Sequence, residues 1–141
     1  YIGQMIEHLN RGTEAPALLR ECCRVLKKGG AIRLTTPDME TIMEAFMDGK
    51  MSRFAHEQPA FYAEACNPEE QLSYLLFGAM GPNSTNENYE GHHHCYTEIG
   101  LAHLLSACGF DTNPEREDSP LFSDTIDMGM SHSFAIEAVK P

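Results

Sequence analysis

Residues 18–38 read LLRECCRVLKKGGAIRLTTPD, and this stretch decides the fold class. Leu18, Leu19, Cys22, Val25 and Leu26 recur at helical spacing. The pattern extends back to about residue 13, where Thr13 is a candidate N-cap and Pro16 falls early in the first turn. Arg24, Lys27 and Lys28 stand where cations complement the negative end of the helix dipole, and Gly29-Gly30 supplies a left-handed stop. The spacing therefore predicts a helix over 13–28. Ala31 to Thr36 is a run of strand formers closed by Pro37, whose missing amide hydrogen cannot extend a ladder. Helix, glycine turn and strand in that order are what a layered α/β domain produces.

Outward from this unit, Asp38 can cap a helix through about Met47, with Ile42, Met43, Phe46 and Met47 on one face and Gly49 as its stop. Asn67-Pro68-Glu69-Glu70 combines a capping residue, a proline at the first helical position and an early carboxylate, which predicts a helix to about Met80. Residues 81–91 are almost pure turn chemistry, and a loop of that length in a compact domain is more often functional than decorative. Thr97 caps a helix whose Ile99, Leu101, Leu104 and Leu105 form an apolar face, closed by Gly109 before Phe110. From His132 to Val139, Ser133, Ala135 and Glu137 alternate with Phe134, Ile136 and Ala138, the period of a strand with one buried face.

A chain of 141 residues has the size of one domain. Apolar residues make up 42% and charged residues 22%, a globular composition. The formal net charge of −11 repels phosphate backbones, which makes nucleic acid a poor candidate partner. No stretch approaches the roughly 18 apolar residues of a membrane span, and no basic leader or apolar signal core opens the sequence, so a soluble cytoplasmic protein with no membrane partner is expected. The five cysteines include the adjacent Cys22 and Cys23, a poor bridging framework, and reduced thiols are expected. Core filling accounts for most of the eight methionines. The sequence begins with Tyr1 in mid-pattern, from which a chain cut from something longer is expected.

Three segments carry a family resemblance: Tyr1-Ile2-Gly3-Gln4-Met5-Ile6-Glu7-His8-Leu9, then Leu19-Arg20-Glu21 through Arg24-Val25-Leu26-Lys27-Lys28-Gly29-Gly30, then the strand ending Thr36-Pro37-Asp38. Together they resemble the class I S-adenosylmethionine-dependent methyltransferases, in a bacterial subgroup with Glu-His-Leu, Arg-Val-Leu-Lys-Pro-Gly-Gly and Pro-Asp. Gly91-His92, Tyr96-Thr97, Leu101, Leu104-Leu105 and Gly109-Phe110 are similar to that subgroup's downstream series, and Ser133 to Lys140 to its final strand. Lys28 stands in place of the usual proline and Cys108 in place of the usual alanine. The resemblance covers nearly the whole sequence but only the second half of the family's fold. It implies a partial Rossmann-like sheet with strands in the order fourth, fifth, seventh, sixth, the seventh antiparallel to its neighbours. The sixth would fall between Asp111 and about Asp118, and a helical insert over 39–95 would form a lid and acceptor pocket within the single domain 1–141.

In that family a glycine-rich turn after the first strand and an acid ending the second hold the cofactor. Neither occurs in this sequence, and Gly29-Gly30 is no substitute because it ends a helix. The resemblance leaves Gly3, Gln4 and Met5, after the fourth strand, lying along S-adenosylmethionine, with His8 one turn later. His8 reads equally as a packing or capping residue. Pro37 and Asp38 end the fifth strand on the edge where open α/β sheets bind ligands, although Asp38 reads first as a helix cap. The resemblance also puts His92 beside the substrate cavity as a candidate general base, against a structural role at the mouth of the loop.

The run His92-His93-His94-Cys95 has zinc-type donors, but consecutive residues point apart and no Cys-x-x-Cys or His-x-x-x-His completes four ligands, so no metal site is expected. Two functions from different classes follow. One is methyl transfer from S-adenosylmethionine to a small-molecule or glycan-like acceptor as part of a longer enzyme, with catalysis resting mainly on positioning. The other is a non-catalytic module that forms a homodimer or binds a partner through a sheet edge near residues 1–6 and 31–36.

Overall fold

The computed structural model describes residues 1–55, 67–78, 91–112 and 130–141. They form an α/β fold with a small mixed sheet and four α-helices: β1 (Ile2–Gly3), α1 (Glu14–Val25), β2 (Ala31–Pro37), α2 (Met39–Met47), α3 (Pro68–Phe77), α4 (Glu98–Ala107) and β3 (Ser133–Val139). Short 3-10 turns stand at Ile6–His8 and Met51–Phe54. The sheet order is β1-β2-β3. β1 runs parallel to β2, with Ile2 opposite Leu34 and Gly3 opposite Thr35. β3 runs antiparallel to β2 from Ala31 opposite Val139 to Pro37 opposite Ser133.

This register corrects one expectation about edges. Leu34 and Thr35 have strand partners on both sides, so β2 lies between β1 and β3, while Ala31, Ile32 and Arg33 pair with β3 alone and β1 is an edge strand among the described residues. Asp111 makes a single antiparallel bridge to Val139, with both backbone hydrogen bonds in place at 2.8 and 2.9 Å. Residues 113–118 of the expected further strand lie outside the described residues.

Local chemistry explains the helix ends. Asp38 accepts from the Glu40 amide, Asn67 from the Glu70 amide and Thr97 from the Gly100 amide, each satisfying a first-turn donor that the helix itself leaves orphaned. Thr13 makes no such bond. Asn10 takes the role instead: its carbonyl accepts from the amides of Thr13, Glu14 and Ala15, and its own amide donates to Glu14 Oε2 at 2.8 Å. At the other end α1 stops at Val25, before the glycines, because Leu26 turns extended. Lys140 Nζ then donates to the carbonyls of Leu26 (2.9 Å) and Arg24 (3.4 Å), and Gly29 adopts φ +76° in the turn that follows. α3 ends at Gly78, which is left-handed at φ 59°, short of the expected Met80.

Two apolar clusters form. The first joins the sheet to α1 and α4 through Ile6, Leu19, Leu34, Leu101, Leu105 and Ile136. The second belongs to the segment after β2 and gathers Ile42, Ala45, Met51, Phe54 and Leu75. Four residues expected on buried helix faces are exposed instead: Val25 (61%), Met43 (36%), Met47 (77%) and Ile99 (65%). On α2 the buried stripe is Ile42 and Ala45 with Phe46 beside it, since α3 and the 3-10 turn at Met51–Phe54 cover that side.

Candidate functional site

Because β1 and β2 are parallel and β3 is antiparallel, the end of β1, the end of β2 and the start of β3 meet at one edge of the sheet. Gln4, Pro37 and His132 stand there, and with Glu7, His8 and His92 they line a cavity of about 140 Å³. Tyr74, Leu75 and Gly78 close its other side. This is the edge at which open α/β sheets hold ligands.

Gln4 sits at φ 48°, the left-handed region that a side chain rarely occupies. Its amide nitrogen is fixed by the Thr35 carbonyl at 2.9 Å, and its side-chain amide donates to Ser133 Oγ at 3.1 Å. The chain thus turns sharply off β1 into the 3-10 turn that carries Glu7 and His8. Glu7 is 1% exposed. Its Oε2 accepts from the Thr36 hydroxyl at 3.1 Å, while Oε1 has no hydrogen-bond partner among the described residues. Burial pushes the Glu7 carboxyl above its ordinary pKa, outweighing the backbone bond, the Thr36 bond and the nearby His8, which pull it down.

The segment 91–95 is delivered to this edge by two sets of contacts. The amides of His93 and His94 donate to the Glu7 carbonyl at 2.7 and 3.1 Å. The C-terminal carbonyls of α3 hold the rest: the His92 amide donates to Phe77 O at 2.8 Å, and Leu76 O accepts from both His92 Nδ1 and the Cys95 thiol at 3.0 Å. These carbonyls would otherwise be orphaned at the helix end. A carbonyl can only accept, so His92 Nδ1 carries the proton and Nε2 keeps its lone pair. Burial, helped by His8 and His132 and opposed by the Leu76 bond, holds the His92 pKa below its ordinary value, and this favours the neutral ring. Its ring packs edge-on against His8 with centroids 4.8 Å apart.

Of the residues singled out in the sequence, Gln4, His8, Pro37 and His92 share this cavity. Gly3 lies in β1 under the Tyr1 ring, and Met5 is 40% exposed; neither lines it. Asp38 spends its carboxylate on the α2 cap, accepting from the Glu40 amide and the Thr41 hydroxyl. Two site residues went unassigned from the sequence, Glu7 and His132. Glu7 stood in plain view in the Glu-His pair, but its burial beside Thr36 follows from the β1–β2 register. His132 is 3% exposed, against the Phe54 ring, and only the start of β3 locates it.

The donor groups of Glu7, His8 and His92 offer one ligand atom each within 4.8 Å of one another. The cavity is smaller than the roughly 300–1,000 Å³ of typical small-molecule pockets, so these residues can flank a nucleoside-sized cofactor but cannot enclose one. No protein-family model, no curated protein and no solved structure matches this chain.

Proposed function

We propose that this chain is the C-terminal part of an S-adenosylmethionine-dependent methyltransferase acting on a small-molecule or glycan-like acceptor. The observation that supports it is topological. The resemblance implies fourth, fifth and seventh strands side by side with the last reversed, and β1, β2 and β3 have that order and those directions. The ligand edge of the same sheet carries Gln4, His8 and His92.

The cofactor, when bound, supplies an electrophilic methyl group on a sulfonium. Gln4, fixed by Ser133 and Thr35 at the end of β1, would flank it. His92 is oriented by Leu76, and its unprotonated Nε2 can take a proton from an acceptor hydroxyl or amine. Catalysis then rests on holding the acceptor in line, with one base at most. The second apolar cluster, within residues 39–95, carries α3 and with it the His92 backbone, so the insert acts as the acceptor side of the site.

Titrating S-adenosylhomocysteine to millimolar concentration into the isotopically labelled chain tests this by amide NMR. Shifts are expected from residues 3–8 and from His92, with weak affinity because only one flank is present. No shift at these amides, or shifts confined to the face of α1 and α4, overturns the proposal.

A further inference from the structure

We propose that Glu7, His8 and His92 form a binding site for one divalent transition-metal ion, with its remaining coordination positions turned to the cavity. The ligand atoms already lie within 4.8 Å of one another. Two imidazoles and one carboxylate are the donor set of catalytic zinc sites and of open iron sites, both of which leave positions for water or substrate. A tetrahedral ion with bonds of about 2.0–2.1 Å draws its ligands to roughly 3.3 Å apart. The cluster therefore needs to close by about 1.5 Å at most, the size of a side-chain adjustment.

A second, independent observation points to a cation. Glu7 is 1% exposed, yet its Oε1 has no hydrogen-bond partner among the described residues. Leaving a carboxylate oxygen buried and unpaired is costly, and such groups are normally paired or bound to metal. The outer contacts are those a metal site needs. The Leu76 carbonyl takes the Nδ1 proton of His92 and presents Nε2 as a ligand, and the Thr36 hydroxyl orients the carboxylate through Oε2. The site differs from the His92–Cys95 run, whose neighbours diverge: it takes one histidine from that run and joins it to a Glu-His pair 84 positions before it in the sequence. It does not rest on methyl transfer: with the ion bound, His92 Nε2 is a ligand and no longer a base, and the ion would itself lower the pKa of an acceptor hydroxyl held in the same cavity.

The test is titration calorimetry of zinc chloride into the full chain, purified without a histidine tag and stripped with chelator, alongside the absorption spectrum of the cobalt(II) form. One equivalent should bind. Glu7→Gln and His8→Asn should each weaken it at least about tenfold, and His93→Ala should leave it unchanged within experimental scatter. The cobalt spectrum should lack a thiolate charge-transfer band. Circular dichroism checks that each variant is folded, and His8→Asn, at a half-buried position, serves if Glu7→Gln is not. No binding, binding that survives both substitutions, loss on His93→Ala, or a thiolate band from Cys95 would each overturn the proposal. Since no S-adenosyl compound enters the experiment, its failure leaves the methyltransferase reading standing.

Discussion

Two buried hydroxyls show how much a single atom decides. Thr36 is fully buried and donates to Glu7 Oε2, so Thr36→Val keeps the shape and deletes that bond to the carboxylate. A buried acceptor stripped of its donor costs about 1–3 kcal/mol. Urea denaturation of this variant should show a loss in that range, and a loss below ~0.5 kcal/mol would mean the carboxylate does not need the bond. Tyr96 is 1% exposed, and its hydroxyl makes no hydrogen bond among the described residues. Its ring faces His94 edge-on and lies 5.9 Å from the Arg11 guanidinium, contacts that phenylalanine keeps. Tyr96→Phe should therefore leave stability unchanged or raise it by up to about 1 kcal/mol. A loss above that value in the same assay would reveal a partner for the hydroxyl.

Elements join where the orphaned backbone groups of one meet the donors of another, and Gly91 marks such a junction. A Cβ there would stand 2.3 Å from the Phe77 carbonyl oxygen, which is backbone and cannot rotate away. Gly91→Ala should push the 91–95 segment off the end of α3, breaking the His92 bonds to Phe77 and Leu76, at a cost of about 1–3 kcal/mol. The His92 ring proton signals in NMR should move with it. An unchanged ring environment would show that the segment is held by Glu7 alone. The caps at Asp38, Asn67 and Thr97 were legible in the sequence because each depends on residues at most three positions apart. The buried faces were not. Val25, Met43, Met47 and Ile99 are apolar at helical spacing yet exposed, because which side of a helix is covered is set by its neighbours. Gln4, His8 and His92 were legible only through a family pattern. Glu7 and His132 complete the cavity through strand register, which no local pattern encodes.

At the scale of the whole molecule, the sheet cluster and the α2–α3 cluster are separate apolar groups that meet at the cavity. Phe54 is fully buried in the second and packs edge-on against His132 in the cavity wall, with ring centroids 5.5 Å apart. Phe54→Ala removes a large core ring at a typical cost of about 3–5 kcal/mol. If the two clusters open as separate cooperative units, that loss falls on one of them. Hydrogen exchange should then show α2 and α3 amides losing protection while β2 and α4 keep theirs. The His92 amide should follow α3, since its hydrogen bond ends on Phe77, although it lies outside the second cluster. Uniform loss across the sheet as well would mean a single cooperative unit, and the α3 side of the cavity would then be as rigid as the sheet. Selective loss would place the His92 contact on the more labile unit, so that the α3 side of the cavity would open before the sheet does.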